Sequence, residues 1–223
     1  MRNKAHDPDF TALKLLKFPK DKIIVDIGTN RGEAILSMLL MTKNLDCDII
    51  GFEPNKLVFD KAKSAFSNEK RVKINNVGLG SEKSEFPLYI PYYRNWMFDG
   101  LSSFKREEAA DWLEGRMWNY KENLLTVKHQ ICKVETLDDQ KLNPYFIKID
   151  VQGFELEVLK GGIKTIEEFS PIILIESIND EIEAFLRPLG YNFYAYHEGK
   201  FSLGRGHLNT FCIPKDKMTA LQL

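Results

Sequence analysis

Apolar residues in this chain gather in two alternating patterns. A short, nearly unbroken run at Ile23–Ile27 predicts a strand buried on both faces, and further strands are expected within Asp48–Asn55, at Arg71–Leu79, at Pro144–Val151 and at Pro171–Glu176. Between them, helical spacing predicts a helix from Gly32 to about Lys43, with Ala34, Ile35, Met38, Leu39 and Met41 on its apolar face. A second helix, Lys56 to Phe66, presents Leu57, Phe59, Ala62 and Phe66 inward. Gly153 opens a third that runs through Glu168, and Asp180–Leu189 is a fourth, capped by Gly190. Strand, helix and strand in this order make the right-handed βαβ unit of a parallel sheet.

Other segments depart from that rhythm. Ser84 to Pro91 alternates apolar and polar residues but contains Pro87, which predicts an edge strand outside the parallel core. Val127–Val134 is a further strand. Tyr191–Tyr196 and Thr210–Ile213 lie close enough in sequence to pair as a hairpin, which ends the sheet on an antiparallel strand. The patch Phe10 to Phe18 is expected to cover one edge or face of the sheet. The connection Tyr92–Leu125 is the least regular and most aromatic stretch, with Trp96, Phe98, Phe104, Trp112, Trp118 and Tyr120, and is helical by composition near Glu107–Met117. A connection of that length between strands is expected to be a lid or docking surface.

The fold class is therefore α/β, a doubly wound and mostly parallel sheet. At 223 residues without a Pro/Gly/Ser-rich linker, the expectation is one domain, 1–223, with the lid inserted at about 92–125. A net charge of −1 argues against nucleic acid or an anionic membrane surface as bulk partner. No apolar run reaches the roughly 18 residues of a membrane span. Cys47, Cys132 and Cys212 are too scattered for a disulfide framework or a Cys-x-x-Cys metal motif, so a reducing cytoplasm is the expected location. Oligomeric state is left open by the sequence.

Candidate chemistry concentrates at the turn after the first strand. Gly28 frees the backbone there, and Gly32 opens a helix whose first N–H groups attract an anionic or polar ligand. Asp26 stands at the carboxyl end of the strand, which faces the ligand crevice in an open α/β sheet. Glu53 follows Gly32 by about twenty residues, the spacing at which a carboxylate meets ribose hydroxyls. Two glycines instead of three, with an acid just before them, fit a pyrophosphate poorly. S-adenosylmethionine fits better, since its ribose suits Glu53 while its amino acid end suits Asp26 and the loop N–H groups. Asn76 is placed to reach an adenine edge or to bond the local backbone.

These features resemble the FkbM family of S-adenosylmethionine-dependent methyltransferases. The resemblance spans about Ile23 to Ile213 and rests on Val25-Asp-Ile-Gly-Thr-Asn-Arg-Gly32, Gly51-Phe-Glu-Pro54, Leu101-Ser-Ser103 and Thr136-Leu-Asp-Asp139. Its most specific part is Ile147-Lys-Ile-Asp-Val-Gln-Gly-Phe-Glu-Leu-Glu-Val-Leu-Lys-Gly161. It implies a Rossmann-like class I methyltransferase fold and methyl transfer to a hydroxyl, commonly on a sugar, glycolipid or polyketide. It also implies that Asp26, Gly28, Asn30, Gly32 and Glu53 touch the cofactor and that Asp150 lies near its methyl group; Thr29, in the same turn, is expected at the cofactor too. Gln152 stands where many relatives have Glu, which weakens a metal role there.

Lys148 and Asp150 alternate with Ile147, Ile149 and Val151, so both share one face of a central strand and need partners. Glu155 and Glu176 are the best candidates. Asp150, with Glu176 and Lys148, is the expected catalytic group; a structural ion-pair network is the alternative. His129, His197 and His207 are lesser options for a base. A divalent metal on Asp138, Asp139 and Asp150 is the minority reading. Tyr92, Trp96, Ser102 and Ser103 are expected to meet a small-molecule or glycan acceptor, with Arg94, Arg106 and Arg116 available to an anionic group on it. A nicotinamide-dependent oxidoreductase, opposed by the missing third glycine, and a non-catalytic relative are the rival functions.

Overall fold

The parallel strands form as their apolar runs predict. In the computed structural model, which describes residues 4–111, 113, 118–218 and 221, β1 (Ile23–Ile27), α1 (Glu33–Met41), β2 (Ile49–Phe52), α2 (Lys56–Ala65) and β3 (Val72–Asn75) follow one another as two βαβ steps. Thereafter come β4 (Gly78–Leu79), β5 (Ser84–Tyr93), β6 (Trp96–Met97), α3 (Arg106–Asp111) and β7 (Leu125–Glu135). The chain then returns through β8 (Pro144–Ile149), α4 (Glu155–Lys160), α5 (Ile163–Phe169), β9 (Ile172–Glu176) and α6 (Asp180–Leu186). It finishes with β10 (Tyr191–His197), β11 (Lys200–Leu203) and β12 (Asn209–Pro214).

The main sheet has the order β11-β10-β12-β9-β8-β1-β2-β3. Strands β9, β8, β1, β2 and β3 are parallel, while β12 pairs antiparallel with both β9 and β10. The winding reverses between β1 and β8. That switch point opens a crevice at the carboxyl ends of those two strands. Alternation along the strands fills both faces. Ile24, Phe146 and Leu174 pack toward α1 and the 3-10 helix Pro8–Leu15, whereas Val25, Ile147, Ile149, Ile173 and Ile175 pack with Val158, Leu159, Ile166 and Leu186.

A smaller second sheet runs β4-β7-β5-β6. Its spine is the long antiparallel pairing of β5 with β7, from Ser84 opposite Val134 to Tyr93 opposite Leu125. Ser103 attaches to it by two backbone hydrogen bonds with Tyr89, at 2.8 and 3.0 Å. Pro87 lies opposite Ile131, and β6 meets β5 only at Tyr92 and Tyr93, so Pro87 keeps an unpaired flank among the described residues. No helix among the described residues is long and apolar enough to cross a membrane.

Several sequence expectations are corrected. Arg71–Leu79 is two strands, because Gly78 leaves the parallel sheet and pairs with Val134 of β7. In α2 the inward positions are Val58, Phe59 and Ala62, while Leu57 is 54% exposed. The helix expected through Glu168 breaks at Gly161-Gly162, where the carbonyl of Gly80 comes within 1.9 Å of where a Gly161 β-carbon would stand. The terminal hairpin forms with the expected pairing, but its connection contains β11, which extends the edge beyond β10. Only α3 is described of the helix expected at Glu107–Met117. Trp112 and residues 114–117, including Arg116, lie outside the described residues.

Candidate active site

Tight backbone packing builds the floor of the crevice. Gly28 adopts φ 82°, and a β-carbon there would stand 1.8 Å from the Asp150 carbonyl oxygen. Gly32, at φ 92°, precedes α1, and a β-carbon there would strike the Phe66 ring at 2.3 Å. Between them, the Thr29 hydroxyl donates to the Asp26 carbonyl at 3.1 Å and Asn30 takes the left-handed conformation at φ 48°. The glycines thus admit protein neighbours first, and by doing so bring the ends of β1 and β8 together.

Two clefts meet at this floor. The first is lined by Phe52, Glu53, Leu79, Ser102 and Phe104, among others. Glu53 is buried. Its Oε2 accepts the Asn30 N–H and its Oε1 the Asn55 N–H, each at 2.8 Å. Burial outweighs those bonds and pushes its carboxyl up to about 7. The Asn30 Oδ1 and Ser102 Oγ atoms are buried without a hydrogen-bond partner among the described residues. A cleft that sets Glu53 and two unsatisfied polar atoms beside Phe52, Leu79 and Phe104, with Asp99, Asp150 and Gln152 at its other side, suits the polar and apolar parts of a nucleoside. Asn76 does not line it; its amide donates to the carbonyls of Glu53 (2.8 Å) and Pro54 (3.1 Å).

The second cleft is bounded by Gly28, Asn30, Asp99 and Asp150, which line both. Arg31 and Asp99 form an ion pair at 2.5 Å across its rim. At its base, Lys148 stands in register with Asp26, and the Lys148 Nζ lies 3.0 Å from Asp150 Oδ2 and 3.9 Å from Asp26 Oδ1. The expected partners of Lys148 are thus corrected in part. Glu155 accepts the N–H groups of Val151 (3.1 Å) and Gly153 (3.2 Å), holding the motif loop instead of the lysine.

The titratable groups divide by environment. Burial alone would lower the Lys148 ammonium, but Asp150 and Asp26 outweigh it and hold it above the ordinary lysine value. Burial would raise Asp150, yet Lys148, Glu176 and the Gln152 amide at 2.7 Å hold it below the usual carboxylate range. Glu176 takes the opposite course. Burial, then the Asp150 charge, push it up to about 8, so its protonated carboxyl donates to Asp150 at neutral pH. Asp26 is raised by full burial, partly opposed by Lys148.

Other expected residues have different surroundings. Ser103 is buried and its hydroxyl donates to the Gln152 carbonyl at 2.6 Å, stitching the motif loop to the second sheet. Tyr92 donates to Met97 Sδ (3.3 Å) under the Lys128 ammonium, and Trp96 is 77% exposed; neither lines either cleft. His129 lies tilted toward Tyr89 on the second sheet, with ring centroids 6.1 Å apart, and His197 and His207 are exposed. Asp138 caps α5 by accepting from Thr165 and Lys164, and Asp139 accepts from Thr136, which separates the ligand set imagined with Asp150. The sequence reading missed His6, Asp7 and Asn209 on the second cleft. Asn209 donates to Asp7 (2.9 Å) and Asp9 (3.0 Å), contacts between opposite parts of the chain that no local pattern announces.

Comparison with known proteins places the chain in a family. The family described as "Methyltransferase FkbM domain" matches residues 26–193. The chain is 26% identical over 200 residues to methyltransferase sdnD of Sordaria araneosa, covering 80% of this chain and 76% of that one. It is 26% identical over 156 residues to methyltransferase 1 of Beauveria bassiana, covering 65% and 59%. Among solved structures, methyltransferase FkbM of Methylobacillus flagellatus superposes with a TM-score of 0.59 at 19% identity, covering 91% of this chain and 47% of that one, so this chain spans about half its length. That likeness shows the Rossmann-like fold.

Proposed function

The chain belongs to the FkbM methyltransferase family, and from that premise we propose that it moves the methyl group of S-adenosylmethionine to a hydroxyl of a sugar, glycan or polyketide-type acceptor. The observation that carries this reading is the position of Asp150 on the wall common to both clefts, ionised beside Lys148. When bound, S-adenosylmethionine supplies a methyl group already activated by its sulfonium. Glu53, Asn30 and Ser102 fit the nucleoside part, because each offers an acceptor or a partnerless polar atom to the first cleft.

The reaction asks the protein for alignment and for removal of one proton. With S-adenosylmethionine held by Glu53, Asn30 and Ser102, Asp150 Oδ would take the proton that the acceptor hydroxyl gives up on receiving the methyl group. Lys148 keeps Asp150 anionic beforehand. Glu176, already protonated, leaves Asp150 as the vacant base of the pair. Gln152 and Ser103 hold that strand end in place.

Calorimetric titration with S-adenosylmethionine and with NAD, followed by transfer of labelled methyl to a panel of sugars and polyols, tests the proposal. Binding of S-adenosylmethionine together with label in an alkali-stable ether is the expected result. Preference for NAD, or label on nitrogen alone, would overturn it.

A further inference from the structure

The second cleft has a wall that methyl donation alone does not need. Its outer side is made by His6 and Asp7 of the N-terminal segment, Glu33 at the start of α1, and Leu208 and Asn209 at the start of β12. Its lining extends from the strand ends to residues 6–10 and 208–209, farther than the amino acid end of a cofactor held at Gly28 and Asn30 requires. The partly apolar Phe10, Leu174 and Leu208 alternate there with hydrogen-bonding groups, the mixture that a carbohydrate ring requires.

Its charge is lopsided. Five carboxylic residues line it, Asp7, Glu33, Asp99, Asp150 and Glu176; with Glu176 protonated at neutral pH, four carboxylates face the cations Arg31 and Lys148. Both cations are engaged: Arg31 with Asp99 and Lys148 with Asp150. Asp7 and Glu33 form no ion pair among the described residues, although the Asp7 carboxylate is fixed in place by Asn209 and by the Asp9 N–H at 2.8 Å. A wall of this kind repels phosphate and carboxylate and attracts an ammonium.

Resting on the function proposed above, we propose that this second cleft, and not the aromatic β5–β6 segment, receives the acceptor, and that the acceptor is a hydroxylated cation of the amino-sugar class. The ammonium pairs with Asp7 and Glu33, while the reacting hydroxyl faces Asp150 across the wall common to both clefts. Neutral polyols bind there more weakly, and uronic acids or sugar phosphates are rejected.

The test uses the full chain loaded with S-adenosylhomocysteine and titrated separately with glucosamine, glucose and glucuronate, read by backbone amide NMR shifts. Glucosamine is expected to move the signals of residues 6–9 and 208–209, to bind at least several-fold more tightly than glucose, and to weaken as salt is added. Glu33→Gln, at an exposed helix start, and Asp7→Asn should each weaken glucosamine several-fold while leaving S-adenosylhomocysteine affinity within twofold. Equal or tighter binding of glucuronate, shifts centred on residues 92–97, or no shift with any of the three sugars would overturn the proposal. Failure of S-adenosylhomocysteine itself to bind would instead count against the methyltransfer reading.

Discussion

The α-carbon of Gly28 sits so close to Asp150 that a β-carbon would stand 1.8 Å from that residue's carbonyl oxygen. This single contact joins the first motif of the sequence to the last. Gly28→Ala is expected to lose more stability than Gly190→Ala, although both positions have left-handed φ, at 82° and 86°. Gly190 has open space around it, so its alanine carries only the conformational cost of about 1 to 3 kcal/mol. Thermal melts of the two variants check the order, and equal losses would contradict it.

Glu53 should govern cofactor affinity. Its two oxygens hold the Asn30 and Asn55 N–H groups, leaving further lone pairs for ribose hydroxyls. Glu53→Gln keeps the shape but loses the charge, and is expected to weaken S-adenosylmethionine by about 1.5 to 3 kcal/mol, a tenfold to hundredfold change. Because hydroxyl donors favour the anion, affinity should rise with pH and level off above about 7. Calorimetry across pH 6 to 8.5 would reveal a flat profile if Glu53 took no part.

The same group makes the ligand-free protein less stable as pH rises. Its folded pKa of about 7 exceeds the ordinary 4.5, so between those values the folded state holds more protons than the unfolded state. Stability contributed by Glu53 is therefore intact below about pH 4.5, declines through the window and is lost above about 7; Glu176 extends the decline to about 8. Denaturant titrations at pH 5 and pH 8 should show a smaller difference for Glu53→Gln than for the parent.

Asp150 and Glu176 should separate kinetically. Asp150→Asn removes the proposed base and is expected to lower turnover by about a hundredfold or more, with cofactor affinity within a few-fold. Glu176→Gln imitates the protonated acid and should retain turnover within several-fold at pH 7, while altering the rate profile near pH 8. Undiminished turnover in a folded Asp150→Asn protein would transfer attention to alignment without a base.

Residues 98–104 contribute Asp99, Gly100, Ser102 and Phe104 to the first cleft. Their amides should exchange hydrogen more slowly once S-adenosylmethionine is present, whereas the β1 and β8 amides change little. Protection equal with and without ligand would mean that this segment is fixed wall and no lid.

What the sequence disclosed depended on the range of the forces involved. The Ile23–Ile27 strand, the Gly32 helix start and the position of Glu53 follow from local pattern, and so were legible. The departure of Gly78 into a second sheet was not, since it depends on Val134, far along the chain. The break after Lys160 likewise answers to the Gly80 carbonyl, not to anything in the helix's own periodicity. At the site, the motif disclosed Lys148 and Asp150, but the wall of the second cleft is assembled from side chains about two hundred residues apart. Leu57 was misplaced for a smaller reason: a one-residue error in helix phase exchanges it with Val58.

The bonds from Asn209 to Asp7 and Asp9 span 202 and 200 residues. A contact this long in sequence closes only after the sheet between residues 9 and 209 is in place, so the outer wall of the second cleft is expected to form late in folding and to open early, ahead of the β1–β8 core, when the fold loosens.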